Sequence, residues 1–149
     1  MLSWSEFAEA APKLASFGKR RLEGRIAYFA TIRSNGSPRL HPVTPFIANQ
    51  NLIVYMEPTS PKVHDLRRDA RYTMHCGVED ASGGRGEFLI SGKAIEINNE
   101  KTRKEVFDQA SSIGYNPKER YIVFELKIEE AMATVYEGNE VKRDKWKAV

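Results

Sequence analysis

From position 26 onward, apolar and polar side chains alternate with a period of two, interrupted by short stretches of helical spacing. Ile26 to Arg33 is rich in apolar, aromatic and β-branched residues and predicts a strand, and Asn35-Gly36 supplies the φ > 0 pair favoured by a two-residue hairpin. The return strand, Pro38 to Ala48, carries Pro42 and Pro45, which cannot donate ladder hydrogen bonds and so belong at an edge or a bulge. Arg39, His41 and Val43 share one face of it, while Leu40, Pro42 and Thr44 take the other. The first of these faces is polar enough to need partners. After a turn at Asn49-Gln50-Asn51, Leu52 to Met56 is a continuous apolar run and predicts a strand buried on both faces.

Arg71 to Val78 and Gly86 to about Ile97 predict two further strands joined by a loop containing Ser82-Gly83-Gly84, with Gly92 marking a bulge or a close approach. Tyr121 to Ile128 and Ala131 to Tyr136 read as two more, and Gly138-Asn139 as a turn toward a basic tail ending in Trp146. Three helical inserts accompany the strands. Ser3-Trp4-Ser5-Glu6 fits a capping box that opens a helix broken at Pro12, with Gly18 punctuating its second piece. Pro61 to Asp69 turns Val63 and Leu66 inward and presents Lys62, Asp65, Arg68 and Asp69 on a polar side. Asn98 or Asn99 caps a helix running to about Ser111, with Val106, Phe107 and Ala110 as its apolar face. The pattern favours a closed or partly open antiparallel barrel in one domain, residues 1–149.

With 41% hydrophobic and 29% charged residues, the composition indicates neither disorder nor a membrane span. The chain opens without a secretory signal pattern, so a cytoplasmic location is expected. A net charge of +3 raises the question of nucleic acid, but acidic residues are interspersed throughout and no recognition motif is present. A solvated surface is the stronger reading of that charge, and attraction of a small anion the second. Cys76 is the sole cysteine, which excludes an intrachain disulfide and argues against a structural zinc site. Its strand neighbour His75 points to the opposite face, so Cys76 is expected to be a buried structural thiol.

The stretch Ser60-Pro61-Lys62 carries the most specific chemistry. Ser60 suits an N-cap and Pro61 the first helical position, so the helix starts sharply. Taken alone the triplet reads first as an ordinary helix cap followed by a surface lysine; in its context the free N–H groups of Lys62 and Val63, the helix dipole, the Ser60 hydroxyl and the Lys62 ammonium would converge on one place, as a phosphate requires. The strand bearing Arg39, His41 and Thr44 lies next in sequence, so a ligand with its phosphate at Ser60 and Lys62 can extend a planar body along the Arg39 to Pro45 edge.

Three runs, Ala30 to Pro45, Ser60 to Asp69, and Gly86-Glu87-Phe88 leading to Ser91-Gly92-Lys93-Ala94, occur together in an order and spacing that resembles the pyridoxamine 5'-phosphate oxidase-like flavoproteins. That resemblance implies a mainly β (α+β) fold, a six- to seven-stranded antiparallel split β-barrel with short flanking helices. It also implies FMN bound at the interface of a homodimer. Ser60 and Lys62 match the phosphate-binding serine and lysine, Arg39 a patterned arginine, and His41, Pro42, Val43 and Thr44 the segment lining the isoalloxazine ring. Met56 and Glu57 stand where a Thr-Asn pair is frequent, and Pro61 stands at a position often basic, for which Arg67 or Arg68 is the candidate replacement. Glu87 matches a position, often glutamine, that can reach the flavin of the other subunit.

Neither Asn98 to Ser112 nor Glu137 to Lys145 contains the Tyr- and Arg-bearing segment or the Arg-x-His motif by which the oxidase proper holds its vitamin phosphate. The implied activity is therefore that of an FMN-dependent oxidoreductase moving a hydride through flavin N5 to or from a small molecule other than pyridoxamine phosphate. Two alternatives share the same helix start: a reductase using the deazaflavin F420, and a flavin- or haem-binding protein without turnover. No metal site, nucleic-acid partner or membrane partner is expected, and no catalytic residue is singled out.

Overall fold

The computed structural model describes residues 1–149. Two helices come first, α1 (Trp4–Ala10) and α2 (Pro12–Leu22), separated at Ala11 because Pro12 cannot continue the ladder and opens a helix of its own. The capping box is present, with Glu6 N–H on the Ser3 hydroxyl and Ser3 N–H on the Glu6 carboxylate. Gly18 does not punctuate α2. It lies inside the helix, where any Cβ would collide with the Phe88 ring.

The strands are β1 (Ala27–Ile32), β2 (Pro38–Val43), β3 (Phe46–Ala48), β4 (Asn51–Met56), β5 (Arg71–Cys76), β6 (Glu87–Glu96), β7 (Ile122–Glu137) and β8 (Glu140–Lys147). Helix α3 (Pro61–Arg68) joins β4 to β5, and α4 (Glu100–Ser112), capped by Asn99, joins β6 to β7. All pairings are antiparallel, in the order β2-β1-β5-β6-β7-β4-β3, with β8 added to β7. The two ends of that path, β2 and β3, follow each other in the chain through Thr44 and Pro45 yet do not pair. Prolines at 42 and 45 remove the donors that closure would need. The barrel is split at this seam, and the Pro38 to Ala48 stretch is two strands rather than one.

Three further local expectations are corrected. In the β1–β2 turn only Gly36 takes positive φ, while the Asn35 side chain accepts from Ser37. The turn with two consecutive positive-φ residues is instead β3–β4, at Asn49 and Gln50. Residues 122–137 form one strand, not two, because Glu129 is accommodated as the extra residue of a bulge opposite Ser91 and Gly92. Gly92 allows the bulge, since a Cβ there would fall on the Lys127 carbonyl oxygen. The basic tail is also a strand, β8, held by the outer edge of β7 from Glu130 to Glu137.

A core of 23 buried residues fills the barrel, with Phe7, Phe29, Met74, Phe88 and Ile90 fully enclosed. A second cluster, Phe46, Ala48, Ile53, Ile97, Val106, Ala110 and Val123, lies beneath α4. Cys76 is buried, as expected of a structural thiol, and its sulfur accepts from the Phe88 N–H. No helix is long and apolar enough to cross a membrane.

Candidate functional site

The seam between β2 and β3 opens onto a cleft of about 550 Å³ lined by Ile26, His41 to Thr44, Tyr55 to Glu57, Ser60, Lys62, Tyr115 and Tyr121. Alternation on β2 turns His41 and Val43 inward, while Leu40 and Pro42 stay exposed. The C-terminal end of β4 delivers Met56 and Glu57, and the start of α3 delivers Ser60 and Lys62. Eight of the ten residues singled out in the sequence therefore meet here: His41, Pro42, Val43, Thr44, Met56, Glu57, Ser60 and Lys62.

Arg39 and Glu87 do not line this cleft. Arg39 gives its Nε to the Asp65 carboxylate at 2.6 Å, yet it remains near enough for its charge to disfavour protonation of both His41 and Lys62. Glu87, at the start of β6, accepts from the Tyr136 hydroxyl and faces His75 Nε2 at 3.4 Å. Arg67 is held by Glu96, and Arg68 by the Ile32 carbonyl and Asp65, and neither lines the cleft.

At the head of the cleft, the Lys62 ammonium donates to the Ser60 hydroxyl at 3.1 Å and contacts His41 Nδ1 at 3.0 Å. Ser60 is the N-cap residue by backbone geometry, but its side chain makes no capping bond. Pro61 has no N–H, and the Val63 N–H bonds the Ser60 carbonyl, so the hydroxyl is free to serve Lys62. Burial, followed by the Arg39 charge, lowers the Lys62 pKa from its usual value. His41 is lowered as well, by burial first and then by Lys62 and Arg39.

Asp65 was expected on the polar side of α3 but is only 3% exposed. It receives Thr31 Oγ1 at 2.7 Å, Arg39 Nε and Arg68. Burial opposes its ionisation, but the hydrogen bonds from Arg39, Thr31 and Arg68 outweigh that and hold the carboxyl below its ordinary value. This buried carboxylate ties α3 to β1 and β2 and so fixes Lys62 relative to His41.

The sequence reading missed Tyr55, Tyr115 and Tyr121. Their rings form one wall, with centroids 6.0 Å apart for Tyr55 and Tyr115 and 6.3 Å for Tyr55 and Tyr121. Burial pushes the Tyr55 hydroxyl up to about 12. Period-two alternation could have marked Tyr55 as the residue of β4 facing away from Val54 and Met56. Tyr115 and Tyr121 belong to a connection whose path no local pattern specifies. At the rim, Arg120 chelates Glu57, with Nε at 3.0 Å, and lies 5.6 Å over the Tyr121 ring. No three His, Cys, Asp or Glu side chains come together to hold a metal ion.

A split barrel with a cleft at its seam is a known architecture. The chain superimposes on a candidate pyridoxamine 5'-phosphate oxidase from Listeria innocua with a TM-score of 0.65 and 13% identity, over 82% of this chain and 95% of that one. For the General Stress Protein 26 from Bacillus anthracis the TM-score is 0.65 at 12% identity, over 92% and 97%. For a heme binding protein from Mycobacterium smegmatis it is 0.62 at 16% identity, over 92% of this chain but only 57% of that protein. No protein-family profile and no curated protein matches the sequence. At these identities the likeness is one of fold: the chain has the split β-barrel of the pyridoxamine 5'-phosphate oxidase-like proteins, as the sequence runs implied.

Proposed function

We propose that the cleft binds FMN and that the protein is an FMN-dependent oxidoreductase acting on a small molecule other than pyridoxamine phosphate. The observation that carries this reading is the Lys62 ammonium, half-buried in the lining of the cleft with only neutral hydrogen-bond partners, Ser60 and His41. A cation taken from water without a carboxylate partner favours an anionic ligand. The phosphate would lie against Ser60, Lys62 and the N-terminal turn of α3. The planar body would run between the His41 to Thr44 edge and the wall formed by Tyr55, Tyr115 and Tyr121, where an open cleft of about 550 Å³ matches a cofactor-sized ligand. Bound FMN would supply hydride transfer at its N5 atom.

A homodimer belongs to the same reading. Ile26, Tyr28 and Leu40 are exposed apolar residues on the outer side of β1 and β2, at 60%, 46% and 64%, and Ile26 and the neighbouring Pro42 also line the cleft. A second copy on this patch would cover both the patch and the cleft mouth, with Glu87 as the residue expected to approach the partner's flavin.

Titration of the purified protein with FMN and with riboflavin tests the proposal. Ser60→Ala with Lys62→Ala should weaken FMN far more than riboflavin; equal loss for both would place the phosphate elsewhere. A protein that refuses FMN at micromolar concentration while taking up haem or F420, each distinguished by its absorbance, overturns the assignment. A sedimenting monomer that retains flavin would overturn the shared site.

A further inference from the structure

A second concavity lies away from the cleft, at the C-terminal end of α2. It has a volume of about 630 Å³ and is lined by Phe17, Lys19, Arg20, Arg21, Glu23, Arg25 and Arg85. Five cations from three separate segments, the last turn of α2, the connection to β1 and the β5–β6 loop, thus face one space that holds a single carboxylate. Cations in the last turn complement the helix dipole, which accounts for Lys19, Arg20 and Arg21. It does not account for Arg25 and Arg85, which the fold brings in from outside the helix.

The carboxylates nearby neutralise this charge poorly. Glu23 meets Lys19 only at 3.9 Å and is also engaged by the Ile47 N–H. Glu79 is shared between Arg21 at 3.4 Å and Arg85 at 3.9 Å. These contacts are loose beside the 2.6 Å pair of Arg39 and Asp65. Arg20 and Arg25 have no carboxylate partner; the Arg20 guanidinium donates to the Ser16 hydroxyl and sits 5.9 Å over the Phe17 ring. Arg21 is 5% exposed, bonds the Gly77 and Gly86 carbonyls, and keeps an enclosed Nε with no partner. A buried guanidinium facing a cavity ringed by four more cations is costly unless an anion compensates it.

We propose that this cavity is a binding site for a small polyanion carrying a diphosphate group, with Arg21 as its positive floor and Arg20, Arg25 and Arg85 as guanidinium donors. Several convergent forks suit vicinal phosphates better than a single carboxylate. A local concavity lined by seven residues suits a compact ligand rather than a nucleic-acid backbone, which runs over an extended surface.

Calorimetric titration of the full chain with inorganic pyrophosphate, and separately with orthophosphate, tests the site. Pyrophosphate should bind more tightly than orthophosphate, and more weakly as salt rises. Arg25→Gln with Arg85→Gln, both on exposed side chains and so compatible with folding, should weaken it by about a hundredfold, roughly tenfold for each charge-assisted donor removed. Lys62→Ala, in the other cleft, should retain this binding. Pyrophosphate binding that disappears with Lys62→Ala, survives Arg25→Gln with Arg85→Gln, or is no tighter than orthophosphate overturns the proposal. So does a single-stranded oligonucleotide that binds more tightly than pyrophosphate.

Discussion

Lys62 and His41, contributed by α3 and β2, share one hydrogen bond of 3.0 Å from the ammonium to Nδ1. Lysine has no acceptor, so this bond requires a neutral imidazole with its proton on Nε2. Burial and the positive charges of Lys62 and Arg39 act in the same direction and lower the His41 pKa. The proposed anion seat of the cleft therefore consists of one cation and one histidine whose protonation is disfavoured.

A pH dependence of stability follows. Below about 6.5, the ordinary histidine value, the unfolded chain binds a proton at position 41 that the folded chain resists, so unfolding is favoured there. The His41 contribution is complete above that pH and is lost as the pH falls from it toward the lowered folded value. His41→Gln offers Lys62 an acceptor that does not titrate. Thermal melts between about pH 7 and 5 should show the parent chain losing stability more steeply than His41→Gln. Parallel curves would mean that position 41 does not titrate against Lys62.

The elements of this seat were legible locally, because strand alternation, proline placement and the Ser-Pro helix start each act within a few residues. Period two put His41 and Arg39 on one face, and Pro42 and Pro45 marked the seam at which the barrel splits. What sequence spacing did not reveal depends on contacts between remote segments. Asp65 occupies a helix position that reads as solvent-facing, and its burial depends on Thr31 of β1 and Arg39 of β2 arriving from elsewhere in the chain, with Arg68 joining from the same helix. Strand β8 has almost no apolar face, with only Trp146 partly buried, and exists because β7 presents an unpaired edge. The gathering of Arg85 with Arg21 and Arg25 is likewise a product of the β5–β6 loop meeting α2.

Asp65 should be among the most sensitive polar positions of the fold. Asp65→Ala would strand the Arg39 Nε and the Thr31 hydroxyl and remove the tie between α3 and β1. Loss of one partner from a buried ion pair costs about 3 kcal/mol or more. Urea denaturation should show that loss. Asp65→Asn should lose less, because the amide oxygen still accepts from one donor. The carboxylate's own contribution is present above its ordinary value near 3.8 and is lost as the pH drops through its lowered folded value, so the parent and Asp65→Asn should converge in acid.

Arg120 and Glu57 give a prediction for the proposed phosphate ligand. Hydrogen bonding from Arg120 holds the Glu57 carboxyl below its usual value, and Glu57 lines the same cleft as Lys62. Arg120→Ala leaves that carboxylate without its cation. Repulsion should then weaken FMN by a few fold, about the worth of an exposed ion pair, with little effect on uncharged riboflavin. Arg120→Ala combined with Glu57→Gln should restore the FMN affinity. Equal weakening of both flavins would mean that Arg120 acts on the ring wall through Tyr121 instead.

Gly18 reverses the usual rule for helices. Glycine inside an exposed helix is about 1 kcal/mol worse than alanine, so Gly→Ala ordinarily stabilises. Here the helix lies so close to β6 that the added methyl would enter the ring of Phe88, a fully enclosed core residue. Phe88 cannot swing away, because Phe17 packs 6.3 Å from it, and its backbone N–H is held by the Cys76 sulfur. Overpacking a closed core typically costs about 1–3 kcal/mol, which exceeds the propensity gain. Gly18→Ala should therefore lower the melting temperature, and Gly18→Ala with Phe88→Leu should recover part of the loss. A stabilised Gly18→Ala protein would show that α2 can lift from the sheet at this point.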